Sequence, residues 1–186
     1  MDSHEAAAML KDAAITEKRS AAAYSYSQSA PHFLIWGFVW LLGYGAEGLV
    51  PRAHPAWMWL GWWWMGLSLT GALASALLGR RQARRSGRSG WQSGVLVFII
   101  WLFVLGTFAI LHPHSQREVA AFIPLLIAAI YAAMGLWLGT RYVAVGAFTA
   151  AATLGGYYYL SDGFFLWMAL VGGGSLILAG IWMRRA

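Results

Sequence analysis

The chain has 186 residues, 60% of them hydrophobic and 11% charged, with a formal net charge of +6 and no cysteine. A soluble domain carries about 25% charged residues, and here the shortfall is concentrated in long apolar runs, so the pattern excludes an ordinary water-soluble globule. The missing thiols exclude disulfides, thiolate metal sites and cysteine nucleophiles.

The positive charge does not point to nucleic acid. Most Lys and Arg stand at the ends of apolar runs, where the bilayer and its anionic headgroups are the natural partners, and no basic or aromatic face is left free of the membrane. No residue pattern requires a cofactor.

Residues 1–30 form a polar, alanine-rich arm that favours helix. Asp12, Glu17, Lys18 and Arg19 interrupt any wide apolar face, so the arm is expected as a solvated or interface-lying cytoplasmic helix that leads into the bundle, or as a docking arm for a protein partner. Asp2, Glu5, Asp12 and Glu17 precede the first apolar run, unlike the short positive start of a secretory signal, so that run is expected to stay as an anchor. Tyr24, Ser25, Tyr26 and Ser27 suggest a hinge before Pro31, a residue suited to the first turn of a new helix.

Residues 31–186 are expected to form a bundle of six transmembrane helices with short loops, over about 33–50, 56–79, 91–111, 119–138, 143–160 and 164–183. The first span ends in Gly43-Tyr44-Gly45-Ala46-Glu47-Gly48, where three glycines weaken helix. The second opens with Trp57, Trp59, Trp62, Trp63 and Trp64 and carries Gly71, Ser75 and Gly79 four apart, a spacing for close helix approach. Between spans two and three lies a loop with Arg80, Arg81, Arg84, Arg85 and Arg88 and no acid. Ser89 with Gln92 and Ser115 with Glu118 fit capping boxes that start spans three and four. Thr140, Arg141 and Tyr142 alone separate spans four and five, which makes these two antiparallel neighbours. Ala128/Ala132 and Gly135/Gly139 repeat the small-residue spacing, and Gly172 to Gly174 fall inside span six. Continuous apolar runs, rather than alternating ones, exclude a β-barrel.

The arginine-rich loop sets the orientation, since a block so basic is retained in the cytoplasm. With it inside, Lys11, Lys18, Arg19, Arg80, Arg81, Arg84, Arg85, Arg88, Arg141, Arg184 and Arg185 are all inside, against Arg52 and Arg117 outside. The expected protein is therefore all-α and polytopic, in the cell membrane, with both termini cytoplasmic.

Few groups carry chemistry. Glu47 is the single acid within an expected span, and such a residue usually faces the bundle and has a partner; Arg52, His54 and His112 are the candidates. Glu47, Arg52, Trp59 and Trp63 are candidate ligand or gating residues around an aromatic mouth. His54, His112 and His114 are candidate metal or haem ligands, although no i,i+4 pair exists and a turn with capped helices explains them as well. Arg80, Arg81, Arg84, Arg85 and Arg88 are expected to meet lipid headgroups. The span centres hold no Asp, Glu, Lys, Arg or His, which weighs against pumps, ion-coupled carriers and intramembrane hydrolases.

The expected function is non-enzymatic: a sensory, accessory or interaction subunit, with residues 1–30 facing a cytoplasmic protein and a second copy of the chain as another candidate partner. Transport of a small apolar or cationic solute is the alternative, and a haem- or metal-binding membrane protein the second alternative.

Overall fold

The computed structural model describes residues 3–51, 54–86 and 91–185 of the protein. Apart from short turns, the described residues are helical and contain no strand. Helix α1 runs over Ser3–Leu49, and a short 3-10 turn, Pro55–Trp59, leads into α2 at Leu60–Ser86. Helices α3, α4 and α5 follow at Trp91–Leu111, Gln116–Leu138 and Thr140–Tyr159. The last rod, α6, covers Phe164–Arg184. It is α-helical at Phe164–Trp167, π-helical over Met168–Gly173 and α-helical again over Gly174–Arg184. Among the described residues, three helices are long and apolar enough to cross a membrane: Gly94–Leu111, Gln116–Leu138 and Phe164–Arg184. Helices α1, α2 and α5 are long enough too, but Trp, Tyr, Gly and charged residues dilute their apolar character.

Helix α1 is the spine. Its 47 residues extend roughly 70 Å at about 1.5 Å per residue. The arm and the first apolar run are one helix, so the expected hinge at Tyr24–Ser27 and the new start at Pro31 do not exist. Packing overrides the local signals. Tyr26, Ala30 and Phe33 are buried, and Gln82 of α2 donates Nε2–H to the Gln28 carbonyl, three residues before the proline, at 2.9 Å. A neighbouring helix thus bonds the backbone next to Ser27, whose carbonyl loses its i→i−4 donor to the proline. Nor does helix fail at Gly43–Gly48. The absent side chains admit neighbours instead: a Cβ at Gly43 would collide with the Trp64 ring, and one at Gly48 with Leu166.

Helix α6 runs antiparallel to α1. Gly180 meets Ala30, Gly173 meets Gly37 and Leu41, and Gly48 meets Leu166 in that order along the seam. Two backbones touch there without side chains between them, as small residues allow. Helices α4 and α5 form a second antiparallel pair, with Gly135 against Val143 and Gly146 against Ala128 and Ala132. A single residue, Gly139 at φ +125°, turns one into the other. No other residue type adopts that angle at low cost.

Helix α2 lies along α1 through Gly71 against Val39 and Gly43 against Trp64, whereas Gly79 has nothing near it. Arg80, Arg81, Arg84 and Arg85 fall on α2 itself, not in a loop. Arg, Gln and Ala are good helix formers, and no breaker precedes Gly87. Arg88 and the Ser89–Gln92 capping box lie outside, or partly outside, the described residues. The Ser115–Glu118 box is formed, with Ser115 Oγ accepting from the Glu118 N–H and Glu118 bonding back.

Helix α3 stands apart. Val104 is buried and Phe108 meets Phe122 of α4 at 5.2 Å between ring centres. Almost every other apolar side chain from Val95 to Leu111 is open to the surroundings. That surface is intolerable in water and ordinary against lipid.

Candidate functional site

Away from the arm, the far end of the bundle brings α2, α4 and α6 against the stretch of α1 that holds Glu47. Trp40, Tyr44 and Glu47 share one face of α1, being four and then three residues apart. Glu47 is only 6% exposed. Its Oε1 accepts from Nε2 of Gln116 at 2.8 Å, while Oε2 is buried with no hydrogen-bond partner among the described residues. Trp64 lies beside this carboxylate. Tyr44 donates its hydroxyl to the Ala120 carbonyl at 2.8 Å and meets Trp40 and Trp64 edge-on, at 5.9 and 4.9 Å between centres. An acid is thus held by an amide and walled by aromatic rings near the end of the bundle.

Two of the expected neighbours lie elsewhere. Trp59 and Trp63 point outward, at 67% and 45% exposure, although Trp63 donates Nε1–H to the Leu42 carbonyl at 3.3 Å. Trp64, one residue on, is the tryptophan that turns into the core. Gln116 rather than a histidine takes Glu47, because the capped start of α4 delivers its first residue there. Arg52 lies outside the described residues.

The three histidines do separate things. His54 caps the 3-10 turn, its Nδ1 accepting from the Ala56 N–H at 3.1 Å. His112 takes φ +43° as α3 ends. His114 donates its backbone N–H to Glu118 Oε2 at 2.8 Å. Among the described residues, no three His, Asp or Glu side chains gather as a metal site requires. Arg80, Arg81 and Arg84 are exposed on the last turns of α2, spaced as a cationic stripe.

Arginines pin the aromatic ends of the bundle. Arg117 of α4 donates to the carbonyls of Tyr157 and Ser161, and its guanidinium sits 4.8 Å from the Tyr157 ring centre and 5.9 Å from that of Phe164. Arg141 does the same at the arm end. It donates to the Trp182 carbonyl at 2.8 Å and stacks on Tyr26 and Trp182 at 5.1 and 4.8 Å. Both bind carbonyls at or just beyond the C-terminal ends of α5 and α6, where helical partners run out. The hydroxyl of Tyr142, fully buried nearby, bonds Ser25 and Ser29 of α1 at 2.9 and 2.6 Å. Sequence spacing predicted none of these long-range partners.

Two of the enclosed hydroxyls serve their own helices, whereas Thr149 Oγ1 and Ser75 Oγ are buried with no hydrogen-bond partner among the described residues. Thr153 donates to the Thr149 carbonyl and Ser175 to that of Gly172, each at 2.8 Å. Comparison with protein-family models, curated proteins and solved structures found no match, so the reading of this site rests on its own residues.

Proposed function

We propose that the chain is a six-span protein of the cell membrane, with both termini in the cytoplasm, acting without catalysis as a sensory or accessory subunit engaged through its arm. The observation that carries this reading is the continuity of α1. Residues 9–20 are exposed and include Met9, Leu10 and Ile15, yet they extend the helix against which α2 and α6 pack. A partner bound there would act on a rigid lever rather than on a loose tether. The orientation is supported by the arm-end placement of Lys18, Arg19, Arg80, Arg81, Arg84, Arg141 and Arg184, against Arg117 at the far end.

The test removes residues 2–16, which leaves the buried Tyr26 and Ala30 in place. Thermal unfolding in mild detergent is expected to match the full chain. A photo-crosslinker at Met9 or Leu10 in intact cells is expected to capture a discrete soluble protein whose co-purification the deletion abolishes. Adducts with lipid alone, or none, overturn the docking arm. Tags before Met1 and after Ala186 are expected to be reachable only after permeabilisation; labelling of either in intact cells overturns the orientation.

A second reading, passage of a small cationic solute, is favoured by the unpartnered Oε2 of Glu47 beside Trp64. A buried carboxylate with one oxygen bonded to Gln116 and the other approached by no well-formed donor but the nearby Trp64 indole is costly to keep unless something else uses it. Glu47→Gln keeps an oxygen for Gln116 and removes the acid. On this reading the variant abolishes uptake of tetraphenylphosphonium into proteoliposomes while raising thermal stability by about 1–2 kcal/mol. Unchanged uptake removes Glu47 from any pathway.

A further inference from the structure

The arm and the α4–α5 turn enclose an open cleft of about 470 Å³, lined by Lys18, Arg19 and Tyr26 of α1 and by Gly139, Thr140 and Arg141 across from them. We propose that this cleft holds the headgroup of one anionic phospholipid. Three cations from two distant parts of the chain converge on it, and no acid lines it. None of the three has an ion-pair partner among the described residues. A pocket of one sign, part-walled by protein, concentrates the opposite charge.

The geometry is built rather than incidental. Gly139 at φ +125° makes the turn so tight that the Tyr26 hydroxyl fills the place of a Cβ, and that hydroxyl accepts the Arg141 N–H at 3.3 Å. The Arg141 guanidinium lies over both the Tyr26 and Trp182 rings, and the Trp182 carbonyl takes one of its five donors. A guanidinium fixed in this way offers its remaining N–H groups to a phosphate at little entropic cost. Lys18 and Arg19, exposed on their helix, line the cleft with an ammonium and a second guanidinium on flexible stems.

The surroundings select a lipid over a free phosphate. The cleft opens where the apolar rod Gln116–Leu138 ends. The last residues of that rod, Leu136 and Trp137, are 75% and 80% exposed, and Trp182 is 45% exposed. Exposed apolar residues beside a cationic cleft, at the end of a membrane-crossing helix, suit acyl chains below a phosphate. The proposal needs α4 to enter the bilayer but does not depend on which side is cytoplasmic or on the arm having a protein partner.

The experiment is native mass spectrometry of the full chain in neutral detergent, titrated with dioleoylphosphatidylglycerol or dioleoylphosphatidylcholine. One phosphatidylglycerol is expected to bind with at least about tenfold preference over the zwitterionic lipid. Lys18→Ala with Arg19→Ala, both exposed and so harmless to folding, is expected to remove most of that preference. Arg80→Ala with Arg81→Ala and Arg84→Ala, on the other basic stripe, is expected to leave this single site unchanged. Equal binding of the two lipids, or an undiminished preference in the Lys18/Arg19 variant, overturns the proposal. Displacement of the lipid by millimolar inorganic phosphate also overturns it, because the site would then recognise a soluble anion. Deletion of residues 2–16 spares both cations, so failure of partner docking and failure of lipid binding are read separately.

Discussion

Gly173→Val is expected to abolish correct folding, while Gly174→Val, one residue on, is expected to be nearly silent. A Cβ at Gly173 would stand 2.7 Å from the Leu41 nitrogen, 2.9 Å from the Gly37 oxygen and 3.0 Å from the Leu41 Cα. All three are backbone atoms, so no rotamer change relieves the collision. Forcing extra methyls into a packed core ordinarily costs about 1–3 kcal/mol, and here the whole α1–α6 seam must open. At Gly174 an added Cβ meets nothing within 4 Å. The two positions are adjacent and receive the same side chain, so a large difference between them reports chiefly the backbone contact at Gly173. Yield of monodisperse protein and thermal unfolding in detergent measure it. Equal tolerance of both substitutions would show that α1 and α6 do not cross as described.

Arg117→Ala is expected to lower stability by about 2–4 kcal/mol, from two charged hydrogen bonds to carbonyls and the face-on contacts with Tyr157 and Phe164. The carbonyls of Tyr157 and Ser161 lose their donor just where α5 ends. For a chain of this length that corresponds to roughly 5–15 °C in the unfolding midpoint. Arg117→Lys is expected to recover about half or less, because a single ammonium lacks the fork that serves two carbonyls and the flat face that stacks on rings. Full rescue by Lys would mean that charge alone matters and that the guanidinium geometry is idle. Limited proteolysis of the Ser161–Gly163 turn gives an independent reading, with faster cleavage expected in the alanine variant.

These two sites differ in how far the chain announces them. Gly172 to Gly174 is visible as a run, and close packing is the cheaper reading of it. Which glycine carries the contact depends on the π-helical turn Met168–Gly173, which rotates Gly173 onto Leu41 and leaves Gly174 open. Arg117 reads from sequence as a lone cation near a capping box. Its partners are 40 and 44 residues away, and nothing local specifies them. Glu47 lies between these cases. As an acid in an apolar run it stands out at once, but its amide partner does not, because Gln116 is an unremarkable polar residue until α4 is docked. Among five clustered tryptophans, only the rotation of α2 against Gly43 chooses Trp64 over Trp59 and Trp63.

Local signals that failed did so in one direction. Pro31 and the glycines of Gly43–Gly48 read as breaks, and both lie inside an unbroken helix. Propensities describe a chain in water, where a lost backbone bond or a bare glycine is answered by solvent. Within a bundle the same positions are answered by neighbours: Gln82 donates beside the proline, and Trp64 and Leu166 fill the space at the glycines. The basic segment misled for the opposite reason. Its charges suggested a loop, yet helix needs only suitable residues and a lack of breakers, and α2 continues to Ser86.

What the amino-acid sequence determined alone is the all-helical character, the apolar rods, the capped start of α4 and the tight α4–α5 turn. Each depends on composition or on residues within a few positions of one another, where local backbone physics decides. What only the tertiary structure decided is that the arm and the first rod are a single spine, that Gly173 and Gly37 let two backbones meet, that Gln116 and Trp64 surround Glu47, and that Lys18, Arg19 and Arg141 face one cleft. Those facts depend on how rods rotate and slide against each other, and a helix's own sequence fixes its faces without naming which neighbour each will meet.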